Sequence, residues 1–277
     1  MSSIGVLALG RPTFDVAFAE ELLAQAREAL LNSGHDIIGG ETLLFDADAT
    51  LAALETLKAQ HLDLVLILQV TFTDASMTVR IADQLAAPLA LWAFPEPRLG
   101  GRLRLNAFCG LSLAAHALGL NDTPFSYAFS APKDTDVVAL LDDFLSGDRE
   151  ATPLYGEDAN VDTSVVAPLI ERLKGKRIGR IGDHPDGFAT CRYNSKTIEK
   201  LTGVTVDEIA LDELFETARD IPAQSIAASR NKVADLRGLG ELDQPQLERS
   251  LALHGALQAL QQGKDYSAFA IRCWPET

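Results

Sequence analysis

Leu62-Asp63-Leu64-Val65-Leu66-Ile67-Leu68-Gln69-Val70-Thr71-Phe72-Thr73-Asp74 is the stretch that decides the fold. Its apolar run is almost unbroken, the pattern of a strand covered on both faces, and such strands sit in the middle of parallel sheets flanked by helices. Thr73 or Asp74 then caps a helix running to Leu85. Working outward, residues 4–9, 35–38, 88–94 and 127–129 read as strands, and residues 14–31, 48–60, 111–118 and 137–145 as helices. In residues 14–31, Phe18, Leu22, Ala26 and Ala29 or Leu30 recur at helical spacing, with Glu20, Glu21 and Arg27 on the other side.

Residues 146–162 (SGDREATPLYGEDANVD) are polar, with a Pro and two Gly, and read as an interdomain linker. Beyond it the strand and helix alternation resumes. Strands are expected at 177–181, 204–210 and 267–271, and helices at 164–173, 197–201, 212–219, 225–236 and 244–262. The fold expected is α/β: two three-layer (α/β/α) Rossmann-like domains with mainly parallel sheets, one over 1–155 and one over 156–277.

Composition bounds the function. Of 277 residues, 47% are hydrophobic and 23% charged, a globular balance. The longest apolar stretch, residues 62–70, falls short of the roughly 20 residues that span a bilayer, and MSSIGVLALG lacks the basic region of an export signal. Cys109, Cys191 and Cys273 form no C-x-x-C pair, so reduced thiols in a cytoplasm are expected. A net charge of −15 repels phosphate backbones, which excludes nucleic acid as a partner; no membrane partner is expected either.

The common catalytic signatures are missing. No G-x-G-x-x-G follows the first strand, and no G-x-x-x-x-G-K-[ST], H-E-x-x-H or G-x-S-x-G occurs. The five histidines are scattered, and none has a carboxylate at metal-ligand spacing.

In open α/β sheets ligands meet the loops leaving the C-terminal strand ends. Four such loops carry unusual residues. In Gly10-Arg11-Pro12-Thr13-Phe14-Asp15, Arg11 is a ligand contact, a solvated loop charge or a partner of Asp15. In Gln69-Val70-Thr71-Phe72-Thr73-Asp74, Phe72 is either a ligand platform or a core plug. Residues 94–106 form a long loop with Arg98, Arg102 and Arg104, suited to function or to a subunit contact. In Gly182-Asp183-His184-Pro185-Asp186-Gly187-Phe188, three neighbouring potential ligands seldom reach one metal, and no metal site is expected.

Together these loops resemble one family. Leu9-Gly10-Arg11-Pro12 resembles the first strand and loop of fucose isomerases, and Thr71-Phe72-Thr73 with Met77 is similar to the third-strand loop of arabinose isomerases. Arg177-Ile178-Gly179-Arg180-Ile181-Gly182-Asp183 resembles the entry to their second domain. Phe269-Ala270-Ile271-Arg272-Cys273-Trp274-Pro275-Glu276 resembles the strand that closes it. The resemblance implies an aldose–ketose isomerase that uses a divalent metal, usually Mn2+, and moves a proton between C1 and C2 through an enediol. It implies Arg11, Phe72 and Trp274 as sugar contacts, and a homo-oligomer in which such positions reach a neighbouring subunit's site. The family's metal ligands follow the strand matched by residues 269–274, whereas this chain stops at Thr277. The expectation is therefore a truncated or partner-requiring chain, without metal ligands of its own and with its catalytic residues unassigned. The alternative is a non-catalytic two-domain module that binds a small sugar.

Overall fold

The computed structural model describes residues 1–97, 100–152 and 163–272. The chain divides into two compact units, Met1–Tyr155 with Asp186–Cys191, and Gly156–Pro185 with Arg192–Thr277. Both are α/β with parallel sheets. No helix among the described residues is long and apolar enough to cross a membrane.

The first unit holds β1 (Ser3–Leu9), α1 (Val16–Leu31), β2 (Asp36–Leu44), α2 (Ala47–Lys58), β3 (Leu64–Gln69), α3 (Ser76–Gln84), β4 (Leu89–Ala93), α4 (Ala107–Leu120), β5 (Ser126–Phe129) and α5 (Val137–Ser146). The strands run in the order β2-β1-β3-β4-β5, every neighbouring pair parallel. Helix α1 packs on α5, while α3 packs on both α2 and α4, so helices cover both faces. That coverage explains the composition of β3 and β4, whose residues are all buried. Their side chains join β1 and the inner sides of all five helices in one continuous core. Carboxylates close helix starts: Asp15, Asp46 and Asp136 accept from the backbone N–H of Phe18, Ala49 and Ala139.

Two elements depart from expectation. β2 runs to Leu44 instead of stopping near Ile38, because Gly39 and Gly40, both at positive φ, form a bulge rather than an end. Pairing with β1 lapses between Val6 and Ala8 and resumes at Leu43 and Leu44. α4 begins at Ala107, a turn before residue 111, after Asn106 adopts a left-handed backbone.

The second unit holds α6 (Thr163–Leu173), β6 (Arg177–Ile181), α7 (Ser195–Thr202), β7 (Thr205–Ile209), α8 (Leu211–Arg219), α9 (Ala223–Lys232), α10 (Gln244–Lys264) and β8 (Ala268–Ile271). Its parallel sheet has the order β7-β6-β8. α10 packs against α8 and α9, and α6 against α7. Ile181, Ile209, Leu214, Ala256, Leu260 and Tyr266 form its core.

Candidate functional site

The order 2-1-3-4-5 fixes where a ligand site belongs. The chain turns one way after β1, through α1 to β2, and the other way after β3, through α3 to β4. Connections therefore diverge between the C-terminal ends of β1 and β3, the switch point at which open α/β sheets bind ligands. The loops carrying Arg11 and Phe72 leave those two ends.

Arg11 does not pair with Asp15. Its guanidinium forms an ion pair with Asp74, and its backbone N–H donates to Thr71 Oγ1 at 2.8 Å. The Arg11 side chain remains 24% exposed, and burial draws its guanidinium below the ordinary arginine value. An arginine stays charged at any physiological pH. Asp74 is itself nearly buried and is held by α3, since Oδ1 accepts from the backbone N–H of Ser76 at 2.9 Å and from the Ser76 hydroxyl. Neither Thr73 nor Asp74 caps α3, whose N-cap is Ala75 without a side-chain bond; the Asp74 carboxylate instead ties the arginine to Ser76, the first residue of the helix.

Phe72 is half-buried between two rings, with Phe14 at 6.0 Å and Phe188 at 5.9 Å between centroids. It is neither a sealed core plug nor an open platform. The Phe72 backbone N–H donates to Leu105 O at 2.7 Å, and the loop below is stiffened by the buried Gln69, whose Nε2 donates to Thr71 O at 2.7 Å and Thr73 Oγ1 at 2.9 Å. Helix α4 passes close because residue 110 is glycine: a Cβ there would lie 2.8 Å from Gln69 Nε2.

Residues 94–106 complete the rim. Arg104 Nε donates to Asp15 Oδ2 at 2.8 Å and its guanidinium lies 3.9 Å over the Phe18 ring, while Arg102 reaches Thr13 O at 3.3 Å. Arg98 lies outside the described residues. The Asp15 carboxyl is held below its usual value, first by the Phe18 N–H and then by Arg104. Arg102 and Arg104 therefore tie the loops after β1 and β4 together.

The segment Asp186–Cys191 belongs to the first unit, whereas the sequence places residues 186–188 in a loop of the second domain. Ala75 N–H donates to Gly187 O at 3.2 Å, and Phe188 packs with Phe72, Ala75, Leu113 and Ala117. Gly187 has φ +76° and lies directly against Asp74, so a side chain there would strain the backbone and displace the carboxylate.

Among the sugar contacts implied by resemblance, Arg11 and Phe72 thus stand on adjacent loops, while Trp274 lies outside the described residues. Asp74, Phe14 and Phe188 were missed as site residues. Asp74 was legible only as a cap, and Phe188 is distant in sequence. In the second unit, Asp183 Oδ1 accepts from His184 N–H at 2.8 Å and Arg180 Nη1 at 2.5 Å, and meets His184 Nδ1 at 2.9 Å. The His184 backbone and ring, and then Arg180, hold the Asp183 carboxyl down to about 2. Among the described residues, no three His, Cys, Asp or Glu side chains converge as a metal-binding group.

Arg11 and Phe72, on the adjacent loops that leave β1 and β3, are residue types that suit a polyhydroxylated ligand, with donors for hydroxyls and an apolar face for C–H groups. Residues 5–154 match the family described as fucose/sulfoquinovose isomerase, N-terminal domain. Across 97% of its length the chain is 27% identical to a sulfoquinovose isomerase of Priestia aryabhattai, covering 56% of that protein. It is 25% identical across its full length to one from Alkalicoccus urumqiensis, covering 58% of it, and 26% identical across 99% to one from Clostridium sp. (strain MSTE9), covering 57%. The chain thus spans a little over half the length of these curated relatives. With the family match extending over more than half of its residues, the chain belongs to the fucose/sulfoquinovose isomerase family.

Proposed function

We propose that this chain serves the aldose–ketose isomerisation of a sugar, and that its own contribution is to recognise and orient that sugar at the β1/β3 switch point. The observation that carries this reading is the Arg11–Asp74 pair, fixed by Thr71 and by the first turn of α3, beside the half-buried Phe72. Arg11 would bind hydroxyl or anionic oxygens, and Phe72 would cover the sugar's C–H face. The relatives' sulfoquinovose, a sugar bearing an anionic group, is a first candidate substrate, and a fixed guanidinium suits such a group.

The reaction itself moves a proton between C1 and C2 through an enediol. The described residues offer no donor set that fits a divalent cation. Manganese and its ligands, which the family resemblance implies, would come from groups outside the described residues. A reducing, cytoplasmic setting suits the exposed thiols of Cys109 and Cys191.

Calorimetric titration of purified chain 1–277 with sulfoquinovose and with L-fucose tests the reading. Arg11→Ala should weaken sugar affinity by about 1.5–3 kcal/mol, and Phe72→Ala by about 1 kcal/mol. Because removing Arg11 strands Asp74, Arg11→Lys is the companion variant: it keeps the charge, loses the fork, and should lose affinity with little change in Tm. Lower Tm with unchanged affinity in these variants, or no sugar binding by the unaltered chain at millimolar concentration, would sink the proposal.

A further inference from the structure

We infer that the buried Gln69 is a positioning residue: it holds Arg11 and Phe72 in register and thereby sets the affinity of the sugar site proposed above, on which reading this inference rests. β3 reads Leu-Val-Leu-Ile-Leu before it ends on Gln69, and every one of its residues is buried. An amide in that last position costs more to bury than the apolar side chains before it, unless hydrogen bonds offset the cost. Gln69 is bonded on one side alone. Its Nε2 donates to Thr71 O at 2.7 Å and to Thr73 Oγ1 at 2.9 Å, whereas Oε1, equally shielded from water, has no hydrogen-bond partner among the described residues. Thr71 O can only accept, which fixes the orientation of the amide. Core packing by itself would be served by an apolar side chain of the same size, without an unpaired acceptor.

What the amide holds is both flanks of Phe72. Thr71 and Thr73 stand on either side of that residue, and both are buried. Thr71 carries the constraint onward, since its Oγ1 accepts from the Arg11 backbone N–H at 2.8 Å and donates to Phe72 O at 3.3 Å. Thr73 carries it to the next residue, Asp74, whose carboxylate pairs with the Arg11 guanidinium. Through two threonines one amide thus reaches the backbone and the side chain of Arg11. Helix α4 is shaped to the same group. Gly110 is buried in that helix, and a Cβ there would lie 2.8 Å from Gln69 Nε2 and 2.9 Å from Cδ, so only glycine leaves the amide its space.

Such a network acts on binding through preorganisation. Contacts set before a ligand arrives spare the cost of ordering the loop when it binds. The stability of the first unit, by contrast, rests on the large apolar core around its strands and helices. Loosening the network should therefore be felt in affinity and in local opening of the loop more than in the unfolding of the sheet.

Gln69→Met in the full chain tests the inference, because methionine fills similar space and has no N–H to donate. Calorimetric titration with sulfoquinovose and with L-fucose is read together with amide hydrogen exchange. The expected result is a sugar affinity about tenfold weaker. The Arg11 and Phe72 amides should exchange roughly tenfold faster, with those of residues 65–68 unchanged. Thr73→Val, which removes the hydroxyl acceptor, should shift affinity in the same direction, and Thr73→Ser, which keeps it, should recover most of the parent affinity. A lower Tm with affinity and with Arg11 and Phe72 exchange unchanged would overturn the inference, and so would Thr73→Ser behaving as Thr73→Val does. Unchanged affinity in Gln69→Met beside a parent that binds sugar sinks this inference alone. A parent that binds neither sugar sinks the sugar reading, and this role with it.

Discussion

Glu96 receives three successive backbone N–H groups, from Arg104, from Leu105 at 2.9 Å and from Asn106 at 3.0 Å. Burial pushes its carboxyl upward, but these donors together outweigh burial and hold it below the ordinary glutamate value. A carboxyl with a depressed folded pKa stabilises the fold above its unfolded value, near 4.3, and the contribution fades as pH falls through the folded pKa. Glu96→Gln is therefore expected to lower stability by about 1 kcal/mol at pH 7, the groups being partly exposed, and to converge with the parent at acid pH. Denaturant titrations at pH 7 and pH 3 measure both ends; a constant difference would refute the charge argument. At this scale, sequence singled out Arg11 and Phe72 by residue type and strand-end position. It did not find the Arg11–Asp74 pair, because pairing across loops is set by sheet order, and it offered Asp15 as the nearer partner.

β2 shows how an element outruns its sequence signal. The strand expected over 35–38 stops short of two consecutive glycines, yet β2 continues through them, and Gly39 at φ +87° turns the backbone so that a Cβ would lie 2.7 Å from Val6 O. Only residues without a Cβ allow β2 to bulge there and rejoin β1. Gly39→Ala should destabilise the first unit by about 2–3 kcal/mol, combining left-handed strain with a backbone contact that cannot yield. Thermal unfolding measures this, and a change below ~0.5 kcal/mol would mean the bulge is not constrained as described. α4 makes a complementary point. Its apolar periodicity was legible from residue 111, but its first turn follows Leu105 and Asn106, whose backbone positions Glu96 fixes from another part of the loop.

At the scale of the molecule, the two units differ in how much they bury. Among the described residues the first unit's principal cluster gathers 39 buried apolar residues and the second's six. At roughly 1.5–3 kcal/mol per fully buried large side chain, the first core is far the stronger. Native-state hydrogen exchange should therefore find β3 amides the slowest and those of β8, whose residues are largely exposed, among the fastest strand amides. Equal protection of β3 and β8 would contradict this. The sequence by itself determined the α/β class, the parallel sheets, the central strand and the family resemblance, because burial on both faces and helical amphipathicity write themselves into local periodicity. The tertiary structure alone decided that β1 and β3 are neighbours, that Asp74 rather than Asp15 holds Arg11, and that Gly187 and Phe188 pack beside Phe72. Those facts depend on strand order and on contacts between residues distant in sequence, which no local pattern encodes.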